Sequence, residues 1–325
     1  PGVIARPQNR SNTTMRLAIA ILTALALTAC AIPPAARTRS PPADLTPVAL
    51  PDYDSERGIQ WAATREDYAA ARADERYAME QFTYRSDDLT VGAYVYHPRK
   101  SAVRKLPVIV FNRGSFTRPN GFAGEMLVMA HRYARAGFIV VAPHYRGSNG
   151  WEGRDELGGA ELHDLMNIVP QLERLADADT SRIYLAGESR GGAMVYMALR
   201  EGFPARAAAV WGAFTDLEAI IAPGAPQAKY APMIWPDLEQ HRDEIVQSRS
   251  ALRWADRIHA PVLIMHGGAD ADIPLDQARR MDAELARLGR THEFVVFDGE
   301  QHVIGGRGAE RDATAIAWFR RFGAT

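Results

Sequence analysis

The sequence predicts an α/β fold in which helices cover both faces of a mostly parallel sheet. Short continuous apolar runs, such as 107–111 and 138–142, are typical of strands that are buried on both faces. Segments of helical composition, such as 124–136, alternate with these runs, and the alternation favours parallel strands joined by helices. The chain has 325 residues and is 47% hydrophobic, a composition that can bury a large core.

Strands and helices are predicted along most of the chain. Residues 52–80 are rich in alanine and charged side chains and predict a helical segment, which packs on an α/β domain spanning 81–325. Strands at 81–86 and 90–97 form a predicted antiparallel pair. The other predicted elements are strands at 183–186, 207–211, 262–266 and 294–297 and helices at 159–175, 193–200, 275–288 and 311–322, with Pro170 predicting a break in the first of these helices.

The first residues resemble a bacterial export signal. Met15 and Arg16 precede an apolar stretch at 17–29, which is too short to span a bilayer and suits the core of a signal peptide. The stretch ends at Cys30, the only cysteine, in a Leu-Thr-Ala-Cys pattern that resembles a lipobox. We therefore expect 1–29 to comprise residues upstream of Met15 plus a signal peptide. The resemblance implies that Cys30 is lipidated and that the protein is exported, as a periplasm-facing or outer-membrane lipoprotein.

Residues 30–51 carry a series of prolines among small and polar side chains. This composition predicts an extended tether, which would hold the folded domain near a membrane through the lipid on Cys30. The formal net charge of −1 gives no electrostatic reason to expect nucleic acid or an anionic membrane surface as a partner.

The most informative motif is Gly187-Glu-Ser189-Arg-Gly191, which is followed by Gly192. An apolar run enters it and a helix-favouring segment leaves it, which is the context of a nucleophile elbow. Ser189 is expected at a strained turn with its hydroxyl exposed, and the glycines are expected where a side chain would collide between strand and helix. The following helix points its positive end at this turn, which favours developing negative charge.

A base and an acid are expected after Ser189, in the order serine, acid, histidine that α/β-hydrolases share. His302 follows the last predicted strand, and Asp270 and Asp272 lie in a turn after strand 262–266. Both positions lie just beyond the carboxyl ends of strands, where open α/β sheets place their sites. His302 would take the proton from Ser189, and the acid would orient the imidazole. The spacing allows either Asp270 or Asp272 to be this acid, and either can instead cap the helix that follows.

Two further features bear on this site. His266 abuts the end of its strand, so we expect it to bond loop backbone rather than act as the base. Residues 215–250 interrupt the alternation with alanine, proline and polar residues. This insertion is either a cap over the site or a long surface loop with a little helix, and the sequence leaves both open.

Segments spread over residues 82–325 resemble the prolyl oligopeptidase (S9) family, especially its acylaminoacyl-peptidase-like branch. The His144-Tyr-Arg-Gly-Ser-Asn-Gly150 segment is similar to the Asn-x-Arg-Gly-Ser-x-Gly segment of that branch, with histidine in place of asparagine. Glu161-Leu-His-Asp164 is similar to the Glu-x-x-Asp step that follows it. His266-Gly-x-x-Asp270-x-x-Ile-Pro is similar to the acid loop of the family, which points to Asp270 rather than Asp272.

The resemblance implies an α/β-hydrolase fold that uses Ser189, Asp270 and His302 as its catalytic residues and needs no cofactor. No His-Glu-x-x-His pair or other zinc-like spacing of histidine and cysteine occurs in the sequence. The backbone N–H of Arg190 is the first expected oxyanion donor, because it directly follows the nucleophile. The second is expected from the segment Asn112, Arg113, Gly114 and Ser115, which departs from the usual His-Gly-Gly-Pro of the family.

The resemblance implies a serine hydrolase that cleaves peptide or aminoacyl bonds through an acyl-enzyme on Ser189. Family members usually carry an N-terminal β-propeller, and we expect none here, because residues 1–80 are too few for one. A carboxylesterase or deacylase that acts on small acyl esters is therefore the alternative. A third interpretation is a tethered binding protein on an inactive hydrolase fold, but such a protein would lack a residue of the triad, and all three residues are present.

Overall fold

The computed structural model describes Gly2 and residues 44–101, 105–115 and 121–324. Its strands are β1 (Thr46–Pro47), β2 (Tyr77–Ser86), β3 (Leu89–Pro98), β4 (Leu106–Asn112), β5 (Ile139–Pro143), β6 (Ala178–Glu188), β7 (Ala208–Trp211), β8 (Val262–Gly267) and β9 (His292–Phe297). In the described chain they form one 9-stranded sheet in the order β1-β2-β3-β5-β4-β6-β7-β8-β9. The six neighbouring strands β5, β4, β6, β7, β8 and β9 pair in parallel. Strands β1, β2 and β3 extend the sheet beyond β5, and their pairings are antiparallel.

Helices connect most of these strands. They are α1 (Arg57–Ala62), α2 (Arg65–Ala73), α3 (Ala123–Arg135), α4 (Glu161–Met166), α5 (Val169–Leu172), α6 (Arg190–Arg200), α7 (Leu217–Ile221), α8 (Ala231–Ile234), α9 (Leu238–Arg249), α10 (Asp276–Arg287) and α11 (Gly308–Arg321). Short 3₁₀ turns occur at Tyr53–Ser55, Ala228–Tyr230, Ala251–Arg253 and Ala255–Arg257.

The sheet is covered on both faces because its strands are apolar on both sides. Val108 and Val110 of β4 belong to one buried cluster, which also includes side chains of α6 and α10. The alternate residues Ile109 and Phe111 belong to a second cluster, which also includes side chains of α3 and α11. Successive side chains of a strand point to opposite faces, so one strand serves both clusters. The predicted α/β-hydrolase fold with a mostly parallel sheet is thus confirmed.

The predicted break at Pro170 is confirmed. Helix α4 ends at Met166, and α5 begins at Val169 with Pro170 in its first turn. Proline is tolerated there because the first N–H groups of a helix have no acceptor within the helix. The predicted antiparallel pair is also confirmed, since β2 and β3 pair from Tyr77 opposite Pro98 to Ser86 opposite Leu89.

The structure corrects two predictions for the N-terminal part. The helical segment predicted at 52–80 ends early, because α2 stops at Ala73 and β2 takes the last positions of that segment. The tether predicted at 30–51 is wrong for its described end. Thr46 pairs with Gln81 of β2, and the Pro51 carbonyl accepts a hydrogen bond of 2.7 Å from the Tyr68 hydroxyl. The predicted signal peptide and the lipidated Cys30 lie outside the described residues.

The 215–250 insertion folds into α7, α8 and α9 with a 3₁₀ turn between the first two. Tryptophan and aliphatic side chains from it are buried against the rest of the domain, as Trp235 and Leu217 are. Among the residues the structure describes, no helix combines the length and the apolar character needed to cross a bilayer.

Candidate active site

Ser189 lies at the sharp turn between β6 and α6. Its φ of +51° is in the left-handed region, which a residue with a side chain adopts only under strain. The turn is tight because glycines on both sides allow close approach. A Cβ added to Gly191 would collide with the Asn112 carbonyl oxygen of β4, and one added to Gly187 would collide with the Gly191 carbonyl oxygen. These contacts explain the Gly-x-Ser-x-Gly spacing.

His302 joins Ser189 to Asp270 in one chain of contacts. Its Nε2 lies 2.7 Å from Ser189 Oγ, and its Nδ1 lies 2.8 Å from Asp270 Oδ2. A carboxylate only accepts hydrogen bonds, so Nδ1 carries the hydrogen and the neutral ring leaves Nε2 free to accept from the serine hydroxyl. The structure thus brings together the three side chains that the sequence analysis selected.

The loop after β8 fixes Asp270. Its Oδ1 accepts hydrogen bonds from the backbone N–H groups of Asp272 and Ile273, at 2.9 and 2.8 Å. Its side chain is 0% exposed. Burial acts to raise the pKa of Asp270, but hydrogen bonds from His266 and His302 outweigh it and hold the pKa well below its usual range. Asp270 is therefore an anion that is fully engaged in orienting its neighbours.

Asp272 does not reach the imidazole. Its Oδ1 accepts a hydrogen bond of 3.2 Å from Gln227 Nε2 at the surface. Of the two aspartates between which motif and spacing alone left the choice open, Asp270 is the one within hydrogen-bond distance of His302 Nδ1.

His266 takes the loop-bonding position expected for it. Its ring is 0% exposed, and Nε2 lies 2.9 Å from the Ile273 carbonyl oxygen and 3.2 Å from Asp270 Oδ2. Both of these atoms are acceptors, so Nε2 carries the hydrogen. His266 thereby holds the loop and is, besides His302, the second imidazole that donates to Asp270 Oδ2.

The candidate oxyanion donors lie at the ends of two neighbouring strands. Arg190 is the first residue of α6, where an N–H has no acceptor within the helix. Gly114 runs directly past the nucleophile, since a Cβ built on it would lie 3.3 Å from Ser189 Cβ. The Gly114 N–H donates to Glu188 Oε1 over 3.4 Å. Ser115 also lines the cavity around Ser189.

The side chains of the other two oxyanion candidates donate hydrogen bonds to backbone carbonyl oxygens. Asn112 is fully buried and donates to the carbonyl oxygens of Val110 and Ala186, both at 3.2 Å, so its side chain is not an oxyanion donor. The Arg113 side chain is buried beneath the loop, where it donates to the Gly114 and Ser115 carbonyl oxygens. Arg113 therefore shapes the loop from below.

A cavity of about 930 Å³ surrounds Ser189. Much of its wall is apolar, and part of that wall is formed by the 215–250 insertion, the cap of the site. The cap contributes Leu217, Ile220, Ile221, Gln227, Tyr230, Ala231, Ile234 and Trp235.

Sequence reasoning missed two contributions to this cavity. Helix α1 supplies Gly58, Trp61 and Ala62 to the wall, and Trp61 is 69% exposed at the surface. Only the amphipathic composition of the segment signalled that it packs on the domain. Glu188, inside the Gly-x-Ser-x-Gly motif, lines the cavity and accepts from Trp211 Nε1 at 3.3 Å. The signal available in the sequence was the charged side chain of Glu188 directly before the predicted nucleophile.

Comparison with known proteins agrees with this architecture. The sequence model of the prolyl oligopeptidase family matches residues 122–324. The chain is 26% identical over 172 residues to the uncharacterized peptidase YtmA of Bacillus subtilis, covering 53% of this chain and 67% of that protein. It is 24% identical over 238 residues to a putative carboxymethylenebutenolidase of Escherichia coli O157:H7, covering 70% of this chain and 82% of that protein.

Solved structures share the fold. The acylaminoacyl peptidase of Pyrococcus horikoshii superposes with a TM-score of 0.65 at 24% identity, over 78% of this chain and 43% of that one. The chain thus spans less than half the length of that enzyme. The family match covers more than half of this chain and includes the strand-turn-helix at Ser189, the acid loop and the histidine loop. The chain belongs to the prolyl oligopeptidase family of serine hydrolases.

Proposed function

We propose that this serine hydrolase cleaves peptide or aminoacyl bonds through an acyl-enzyme on Ser189. The observation that carries the proposal is the unbroken chain of contacts from Ser189 Oγ through His302 to Asp270, with distances of 2.7 and 2.8 Å. Nucleophile and base lie within hydrogen-bond reach, and the base is itself oriented by a third group, which is the arrangement that nucleophilic catalysis requires.

The reaction would proceed in two halves. As Ser189 Oγ attacks the carbonyl carbon of the substrate, His302 Nε2 takes the hydroxyl proton and then donates it to the leaving group. Water would then attack the acyl-enzyme with His302 as base, which releases the acid and restores the serine. Asp270 keeps the hydrogen of the imidazole on Nδ1 and stabilises the imidazolium that forms in both halves.

The oxyanion would be stabilised by the Arg190 N–H and by a backbone N–H of the Gly114–Ser115 turn. Arg190 N lies at the positive end of α6, which adds to its effect on a developing negative charge. The Gly114 N–H now points at Glu188 Oε1 over 3.4 Å, a long contact that a substrate oxyanion can replace.

The substrate class is the finer part of the proposal. The relatives named as peptidases support an amide substrate, and the apolar wall under the cap suits an aliphatic or aromatic acyl side chain. The similarity to a protein named as a putative carboxymethylenebutenolidase favours an ester as the second candidate. Both substrates use the same three residues, because they differ in the leaving group and the pocket rather than in the triad.

We also propose that the protein is exported and anchored through a lipid on Cys30. The support is the apolar stretch 17–29 that ends in Leu-Thr-Ala-Cys30 after Met15 and Arg16. Metabolic labelling of the full chain with an azido fatty acid in a bacterial host should label the protein and should not label Cys30→Ser. Equal labelling of both would contradict the anchor.

A matched pair of substrates tests amide against ester cleavage. An aminoacyl p-nitroanilide and the corresponding aminoacyl p-nitrophenyl ester share the acyl group and differ in the leaving atom. We expect hydrolysis of both, abolished in Ser189→Ala, because an amide needs a proton delivered to its amine and His302 is placed to deliver it. Serine-dependent cleavage of the ester alone would contradict the peptidase proposal and favour the esterase.

The pH dependence of kcat/KM should report on His302. Burial acts to lower the pKa of His302, but its hydrogen bond with Asp270, followed by the charges of Asp270, Asp272 and Glu188, outweighs burial and raises the pKa above 6.5. The imidazole must be neutral to act as base, so activity is expected to fall with decreasing pH at an apparent pKa above 6.5.

The variant Glu188→Gln provides the matched control for this profile. It removes one of the negative charges that raise the pKa of His302, so the acidic limb should move to lower pH while its shape is kept. An acidic limb at or below the ordinary pKa of histidine, or a limb unmoved by the substitution, would contradict the assignment of the limb to His302.

A further inference from the structure

Asp155 lies beneath the nucleophile turn and links the two sides of the candidate oxyanion site. Its Oδ1 accepts a hydrogen bond of 2.7 Å from Arg190 Nη2, and its Oδ2 accepts a longer one of 3.4 Å from Arg113 Nη2. The side chains of Asp155 and Arg113 are both 2% exposed, and that of Arg190 is 3% exposed. One buried carboxylate therefore connects the residue after the nucleophile with the loop after β4.

Arg113 extends this link to the backbone that faces Ser189. Its Nη1 donates to the carbonyl oxygens of Gly114 and Ser115, at 3.0 and 3.1 Å. Ser115 has a φ of +62°, in the left-handed region that a serine adopts only when its surroundings impose it. The guanidinium therefore supports the strained backbone at Ser115 through these two hydrogen bonds.

Glu161 is the second carboxyl group of the cluster, and burial raises its pKa. Glu161 Oε1 accepts a second hydrogen bond from Arg190 Nη2 at 2.8 Å, so two guanidinium groups face two carboxyl groups. Burial acts to raise the pKa of Asp155, but the charges of Arg190 and Arg113 outweigh it and lower the pKa. The Tyr145 ring packs against both cations, with centroid distances of 4.4 Å to Arg190 and 5.2 Å to Arg113.

The positions of these residues give the cluster a catalytic consequence. Strands β4 and β6 are parallel neighbours, with Asn112 opposite Gly187, so both oxyanion donors come from turns at the same edge of the sheet. Oxyanion donors act at about 2.7–3.1 Å from the oxygen, and a shift of a fraction of an ångström weakens them. Hydrogen bonds of the sheet fix the relative position of β4 and β6. The turns that follow these strands lie outside the sheet, so another contact must fix the distance between them.

We propose that Asp155 is a positioning residue for the reaction: by holding Arg113 and Arg190 together, it sets the distance between the Arg190 N–H and the Gly114–Ser115 turn. The inference rests on the proposed function, because the distance matters only if these groups bind an oxyanion. Asp155 is not among the residues that line the cavity around Ser189, so it acts through the two arginines.

Asp155→Asn tests the proposal, since it keeps the volume of the side chain and removes the charge that binds the arginines. With a p-nitrophenyl ester as substrate, we expect kcat to fall about ten- to hundredfold, part of the 10²–10³-fold loss that follows removal of a donor. KM should change by less than about threefold, because only transition-state stabilisation is affected. Affinity for a trifluoromethyl ketone, which forms a tetrahedral adduct on the serine, should fall in parallel with kcat.

Asp164→Asn is the matched control for a merely structural effect. Asp164 is likewise buried, at 0% exposure, and it also pairs with an arginine, Arg146, whose Nη2 lies 2.7 Å from Asp164 Oδ1. The Asp164→Asn variant should lower Tm about as much as Asp155→Asn does, while its kcat should stay within about twofold of the parent value. Loss of kcat in both variants in proportion to the loss of Tm, or unchanged kcat in folded Asp155→Asn, would overturn the proposal.

A second variant covers the case in which Asp155→Asn does not fold. Arg113→Lys keeps the positive charge but lacks the planar fork that binds the two carbonyl oxygens and Asp155 at once, so it should show the same loss of kcat at constant KM. Where both variants fold, the double variant should be no slower than the slower single one, because both break one link. Additive losses of kcat in the double variant would contradict the proposal that Asp155 and Arg113 act as one link.

The series separates this inference from the proposed function. If Ser189→Ala retains activity, the nucleophile assignment fails. If Ser189→Ala is inactive while Asp155→Asn and Arg113→Lys match the parent protein in kcat, the reaction stands and the role of Asp155 is refuted.

Discussion

Ser189→Ala is expected to lower kcat by about 10⁶-fold on any substrate that the protein hydrolyses, because no other nucleophile replaces the hydroxyl. In the structure, Ser189 Oγ lies 2.7 Å from His302 Nε2 and faces the cavity. Removing it leaves the base and the oxyanion donors, so water attack assisted by these groups sets the residual rate. Steady-state kinetics with the p-nitrophenyl ester measures the loss.

The fold should survive this substitution. Ser189 has a φ of +51°, and alanine is strained there as serine is, so a small change in Tm is expected. The cavity should still bind ligands. A tryptophan-fluorescence titration with a non-hydrolysed product analogue measures this binding in Ser189→Ala and in the parent protein. Activity that persists at more than about one percent of the parent rate, with a contaminating hydrolase excluded, would contradict the assignment of the nucleophile.

Asp270→Asn is expected to lower kcat by about 10⁴-fold. The amide that replaces the carboxylate carries no charge to stabilise the imidazolium, and its NH₂ group can face Nδ1, which turns the hydrogen of the ring to Nε2. His302 would then donate toward Ser189 instead of accepting its proton. The loss should appear in kcat on both the amide and the ester substrate.

Asp272→Asn is the matched control, because it makes the same change two residues away in the same loop. Asp272 contacts Gln227 at the surface and affects His302 only through its charge, so its loss should lower kcat less than about tenfold. A larger effect of Asp272→Asn than of Asp270→Asn would show that the other carboxylate orients the histidine in solution.

Much of the fold was predictable because its strands carry strong local signals. β4 and β5 are continuous apolar runs, and the structure places them next to each other at the centre of the sheet. The start of β2 at Tyr77 and the pairing of Thr46 were missed, because both depend on contacts made across the sheet edge. A proline-rich segment has the same composition whether it is a tether or packs on a strand.

The candidate site was predictable as far as motifs and chain order define it. Ser189 and His302 follow from the strand-turn-helix pattern and from the position of the last strand. The contribution of α1 to the cavity was not predictable, since Trp61 lies far from Ser189 in the sequence and meets the cavity only in the folded chain. The same holds for Asp155, whose proposed role depends on two arginines far apart in the sequence, Arg113 in the loop after β4 and Arg190 at the start of α6.

The most direct test of the account is to locate the covalent adduct of a fluorophosphonate. The parent protein is incubated with the probe, digested and analysed by peptide mass spectrometry, with Ser189→Ala and heat-unfolded protein as controls. We predict one modified peptide, with the phosphonyl group on Ser189 Oγ and no modification in either control. An adduct on another serine, or an active protein that takes up no probe, would contradict the central claim that Ser189 is the nucleophile.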